Sequence, residues 1–141
     1  MKGRGLFKMK IEEALFSHLR NYIPLAGLVG ERIYPLVLPR GSALPALTYQ
    51  KISQTKERML GNSSKITRAR FQVSCWAASY AEGKEVAAQV QAALQDYCGL
   101  MGGDKGVQVL DVNVVGERDI YESDASVYHL PLDVMIIYYS L

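Results

Sequence analysis

Arg68-Ala69-Arg70-Phe71-Gln72-Val73-Ser74-Cys75-Trp76-Ala77-Ala78 sets apolar Phe71, Val73, Cys75 and Ala77 against Arg70, Gln72, Ser74 and Trp76. Successive side chains of a strand point to opposite faces, so a two-residue period gives one face to a core. Upstream, Ala46 to Gln54 alternates in the same manner, with Leu47 and Tyr49 on one face and Thr48 and Gln50 on the other. Between the two runs lies Thr55 to Thr67, mostly polar and carrying Gly61-Asn62-Ser63-Ser64. Two alternating runs joined in this way predict an antiparallel pair with a long hairpin tip.

On the N-terminal side, Ile11, Ala14, Leu15, Leu19 and Tyr22 fall on one face of an amphipathic helix. Glu12 and Glu13 stand in its first turn and Arg20 in its last, the order that the helix dipole prefers. Pro24 disfavours helical backbone at Ile23, so the helix is expected to end near Tyr22. Gly27, Gly30, Pro35, Pro39, Gly41 and Pro45 then punctuate the chain, leaving one short strand around Arg32 to Leu36. Residues 1–9, with Lys2, Arg4 and Lys8, read as a flexible basic arm.

On the C-terminal side, Ser79 and Glu82 form a capping box that opens a second helix. Its apolar face is Val86, Ala87, Val90, Ala93, Leu94 and Tyr97, and Gly99 is expected to end it. A glycine-rich loop follows from Leu100 to Gly106. Val107 to Val115 and Val127 to Tyr139 read as strands, linked through Glu122-Ser123-Asp124. Pro131 has no N–H to give a ladder, which predicts an edge position or a bulge there. The fold class is therefore α+β: a mainly antiparallel sheet packed by two helices, in a single domain over residues 1–141.

With 141 residues, 49% of them hydrophobic, and 16 Lys+Arg against 14 Asp+Glu, the chain has the composition of one folded domain. A net charge of +2 argues against intrinsic disorder and gives no ground for nucleic-acid binding. No apolar run approaches the roughly 18 residues of a membrane span, so no membrane partner is expected. The basic N-terminus is not followed by a secretion core, because Glu12, Glu13, His18 and Arg20 interrupt it. Lys2 breaks the myristoylation pattern, and Tyr139-Ser140-Leu141 holds no prenylation cysteine. Two cysteines are too few for a disulfide scaffold. A reducing compartment with Cys75 and Cys98 free is the expectation; a bridge between them stays open, without support from the spacing.

Catalytic chemistry finds little footing. His18 and His129 lie far apart and outside zinc-binding helix patterns, and neither cysteine has a C-x-x-C neighbour. Cys75, on the apolar face of its strand, reads as a core residue rather than a nucleophile. Gly99 to Gly106 lacks the order of a phosphate loop and precedes a strand. Asp111, Glu117, Asp119, Glu122 and Asp124 gather without EF-hand spacing. No catalytic residue, metal site or cofactor is expected, and the chain is not read as an enzyme.

The hairpin carries the sharpest charge feature: Lys51, Lys56, Arg58, Lys65, Arg68 and Arg70, with Glu57 the one acid among them. Repeated around a symmetric assembly, these cations form a positive belt that can face DNA phosphates. On an isolated chain they equally read as a solvated tip that discourages edge pairing. Interleaved aromatics are missing there, which disfavours single-strand binding. The alternative function left open is a small DNA-binding module acting through this basic hairpin.

Ile11-Glu12-Glu13-Ala14-Leu15, followed by Leu28-Val29-Gly30-Glu31-Arg32-Ile33-Tyr34-Pro35, resembles the opening of the phage tail completion (tail terminator, head-tail joining) family. The resemblance continues through Leu44-Pro45-Ala46-Leu47-Thr48-Tyr49, Arg68 to Trp76, the helix from Tyr80, Asp119-Ile120-Tyr121-Glu122, Tyr128 and Leu132-Asp133. It implies a structural protein of the virion tail, put together in the host cytoplasm, that caps the tail tube and meets the head. It further implies a homo-hexameric ring, with tail tube protein, head-tail connector protein and DNA passing through the ring as partners. A ring joins unlike patches of neighbouring copies. The hairpin residues Lys56, Arg58, Lys65 and Arg68, and Arg32 and Tyr34 in the Gly30 to Pro45 segment, are the candidate contacts. Arg32 and Tyr34 can instead be structural, an Arg paired to a carboxylate and a Tyr covering the sheet edge.

Overall fold

In the computed structural model, which describes residues 9–58 and 65–140, the longest strands are those with the clearest alternation. The chain runs α1 (Ile11–Arg20), α2 (Ile23–Val29), β1 (Ile33–Pro35), β2 (Ala46–Arg58) and β3 (Lys65–Ala77). It continues with α3 (Tyr80–Leu94), β4 (Gly99–Met101), β5 (Val107–Glu117), β6 (Ile120–Glu122) and β7 (Val127–Ser140). The strands form one sheet in the order β1-β2-β3-β7-β5-β4, with β6 also on β7. Only β1 pairs parallel, with β2; the other pairings among the described residues are antiparallel.

The expected face of β3 is the one that is buried: Ala69, Phe71, Val73, Cys75 and Ala77 are fully enclosed. Because residues opposed across an antiparallel pair share a face, Ala69, Phe71, Val73 and Cys75 line up with Ile136, Val134, Leu132 and Leu130 of β7, also buried. All three helices lie against this face. Leu15 and Leu19 of α1, Leu25 and Val29 of α2, and Val86, Val90 and Leu94 of α3 join the same core.

The fold departs from the expectation at four places. The helices number three among the described residues, not two. Helix α1 ends at Arg20 with Asn21 as its cap, and Ile23, expected to be non-helical before Pro24, opens a new helix, α2. Pro24 stands in its first turn, where its missing N–H has no partner to lose. The hairpin strands extend to Arg58 and from Lys65, so Thr55 to Arg58 and Lys65 to Thr67 belong to strands. The tip that remains, residues 59–64, lies outside the described residues. Helix α3 ends at Leu94, well before Gly99: Gln95 leaves helical backbone, and its side-chain oxygen accepts the Val114 N–H at 2.9 Å. Gly99 instead begins β4, inside the segment read as a loop.

Pro131 is the fourth. Strand β7 is central, bonded to β3 on one side and to β5 and β6 on the other. Pro131 lies where β5 has ended and β6 has not begun, and its carbonyl accepts the Arg118 N–H at 3.1 Å. Backbone N–H and C=O of one strand residue point the same way, so the absent donor faces the Arg118-Asp119 connection and costs no ladder bond. Of the expected basic arm, residues 1–8 lie outside the described residues. Met9 is tied down by its N–H to the Lys105 carbonyl at 3.3 Å.

Candidate functional site

Strands β2 and β3 hold the basic candidates at one end of the sheet. Lys56 is exposed on β2 opposite Thr67, and Arg58 ends the strand opposite Lys65. Arg68 pairs with Glu57 across the two strands at 3.0 Å. Lys51 is tied to Glu12 of α1 at 2.8 Å and donates to Gln54 at 2.6 Å. Burial tends to raise the Glu12 carboxyl, but the Lys51 hydrogen bond and charge hold it below its ordinary range. Two cations of the hairpin are thus matched by acids within the chain.

Arg32 and Tyr34 lie elsewhere. Tyr34 pairs with Thr48 at the start of β2, roughly 25 Å from Lys56 at the rise of a strand. The Arg32 guanidinium donates to the Pro45 carbonyl at 2.8 Å and the Leu28 carbonyl at 3.2 Å. It therefore ties the end of α2 to Pro45 through backbone oxygens, where the structural alternative for Arg32 named a carboxylate partner. The half-buried Tyr34 hydroxyl accepts from Ser42 Oγ at 3.4 Å. The six candidates form two separate places rather than one site.

Beside the exposed Glu31 and Arg40, that segment presents apolar side chains outward. Leu36 and Val37 are 65% and 71% exposed. Leu36 has φ +66°, and the Val37 N–H reaches back to the Pro35 carbonyl at 2.7 Å, a γ-turn with left-handed backbone at its centre. Side chains rarely accept that region, so neighbouring bonds must hold it; the Leu36 N–H to the Tyr49 carbonyl at 2.9 Å is one. Read from the sequence, two apolar residues beside a short strand look like core, and no local signal marks them as exposed.

At the opposite end of the sheet Glu117, Asp119 and Glu122 are engaged, whereas Asp111 pairs with Ile137 toward the hairpin end. Lys84 bridges Glu117 at 2.7 Å and Asp119 at 3.0 Å, and Tyr80 donates to Asp119 at 2.7 Å. The bonds to Glu117 and Asp119 raise the Lys84 pKa, and those from Tyr80 and Lys84 lower that of Asp119. His129 Nδ1 lies 3.2 Å from Glu122 and its Nε2 2.9 Å from Ser74 Oγ. That order of Ser, His and carboxylate has the connectivity of a nucleophile relay. Ser74, however, is 3% exposed and sits in a central strand, so no substrate can reach its oxygen. Cys75 is free and enclosed, with burial pushing its thiol well above the ordinary range; Cys98 is free and exposed. Among the described residues no three His, Cys, Asp or Glu side chains come together as metal ligands. No helix among them is long and apolar enough to cross a membrane.

Comparison with known proteins gives this arrangement its class. The model of the family described as tail completion protein gp17 matches residues 13–139, from α1 to the end of β7. The chain belongs to that family, and so to the structural proteins of phage tails. No curated protein matches it. Among solved structures, it is similar to a chain from the virion of a native gene transfer agent (GTA) particle. The TM-score is 0.72 at 18% identity, covering 92% of this chain and 95% of that one. At that identity the likeness shows a shared fold.

Proposed function

We propose that this protein caps the phage tail tube, ends its elongation and forms the surface through which tail and head are joined. The observation that carries the reading is the family match over residues 13–139, which runs from the first turn of α1 to the last residues of β7. A structural neighbour drawn from a virion is in keeping with it. In this reading the chain acts as a homo-hexameric ring in the virion tail, assembled in the host cytoplasm. Its partners are the tail tube protein, the head-tail connector protein and the DNA that passes through the ring. Lys56, Arg58, Lys65 and Arg68 at one end of the sheet, and the segment clasped by Arg32 and Tyr34, are its contact regions. The chain performs no catalysis in this role. A free DNA-binding module gains no support, since Lys51 and Arg68 already have partners in Glu12 and Glu57.

The test is electron microscopy of tail tubes mixed with the purified protein. Added density with sixfold symmetry at one end of each tube is the expected result. Density distributed along the tubes, or none, contradicts it.

A further inference from the structure

One sheet edge is closed and the other is open. On the β5 side, β4 covers Val107 to Val109. The Asp96 N–H then bonds the Val112 carbonyl at 2.8 Å, and Gln95 takes the Val114 N–H. On the β2 side, β1 covers Leu47 to Tyr49, and the Leu36 N–H on the Tyr49 carbonyl is the last bond. From Gln50 to Arg58, β2 pairs along its backbone only with β3 among the described residues.

Proteins protect such an edge with lysines and bulges, and Lys51, Lys56 and a register shift at Ile52 are present. Protection does not account for the apolar side chains beside them. Ile52, at the bulge, is 47% exposed, and the strained turn at Leu36 holds that residue and Val37 in solvent at the start of the open stretch. Lys51 is drawn aside by Glu12 and Gln54, leaving Lys56 as the exposed cation on the helix-facing side of the edge.

We propose that the β2 edge from Gln50 to Glu57, with Leu36 and Val37 at its end, takes up an extended segment of another virion protein as an added strand. Strand addition supplies the main-chain bonds, and alternate side chains supply the choice of partner. The fitting segment carries a carboxylate to meet Lys56 and apolar residues to cover Ile52 and Val37. This rests on the tail-capping reading above, and identifies where the tail meets this protein.

Hydrogen exchange on the full chain, alone and mixed with tails from a strain lacking this gene, tests it. Binding should slow the outward amides of β2 between Gln50 and Glu57. Lys56→Glu and Val37→Asp should each weaken binding about tenfold or more, as loss of an interface anchor does. Val37→Ser replaces Val37→Asp if that variant does not fold. Tight binding with unchanged β2 exchange and unimpaired variants overturns the edge and leaves the tail-capping reading in place. Absence of binding overturns both. Protection of the same amides in the protein alone, growing with its concentration, assigns the edge to a second copy and overturns the proposed partner.

Discussion

His129 lies flat on Trp76, with ring centroids 3.8 Å apart and planes within 8°. Burial beside that ring outweighs the support of Glu122, so the imidazole titrates below its ordinary value of about 6.5. A histidine depressed on folding stabilises the fold above its unfolded pKa, and that contribution is lost as pH falls through the lower folded one. The urea midpoint is therefore expected to drop between pH 7 and pH 5, and His129→Gln should flatten that drop. An equal drop in the variant contradicts the assignment. Glu12 acts in the same sense only at lower pH, where its own depressed carboxyl titrates. The thiols offer a second check. A maleimide should modify Cys98 alone in the native protein and Cys75 only after unfolding, read by mass spectrometry. Native modification at both would mean that the Cys75 face of β3 is not sealed.

Elements differ in how plainly their residues declare them. Strand β3 and the start of α3 were readable because their signals are local: a two-residue alternation, and a Ser79 whose Oγ accepts the Glu82 N–H at 3.2 Å. Ser79→Ala is expected to cost about 1 kcal/mol in denaturant unfolding; no measurable loss would mean that water replaces the cap. Helix α2 escaped because seven residues hold too little amphipathic repeat, and because a proline read as a helix stop is equally at home in a first turn, where Pro24 lies. The end of α3 is set by Gln95 reaching an amide 19 residues away, and the tolerance of Pro131 by a break in two neighbouring strands. Both are tertiary facts that no local pattern carries.

For the molecule as a whole, the sequence showed cations in the hairpin and acids near the β5–β6 connection, and the sheet sets them at its two ends. Their pairings were not readable, because Lys51 meets Glu12 and Lys84 meets Glu117 and Asp119 only once α1 and α3 pack on the sheet. Nor was the exposed Leu36-Val37 turn, since exposure of an apolar pair depends on what does not cover it. The family signal, in contrast, was spread through Gly30 to Pro35, Arg68 to Trp76 and Asp119 to Glu122, and the match over residues 13–139 bears it out. The central claim is that this chain terminates the tail, and the most direct measurement is the tail-length distribution by electron microscopy in a strain lacking its gene. Tails of uncontrolled length that stay unjoined to filled heads are expected, with normal particles restored by the gene in trans. Particles of normal length and normal joining in the deletion strain would contradict it.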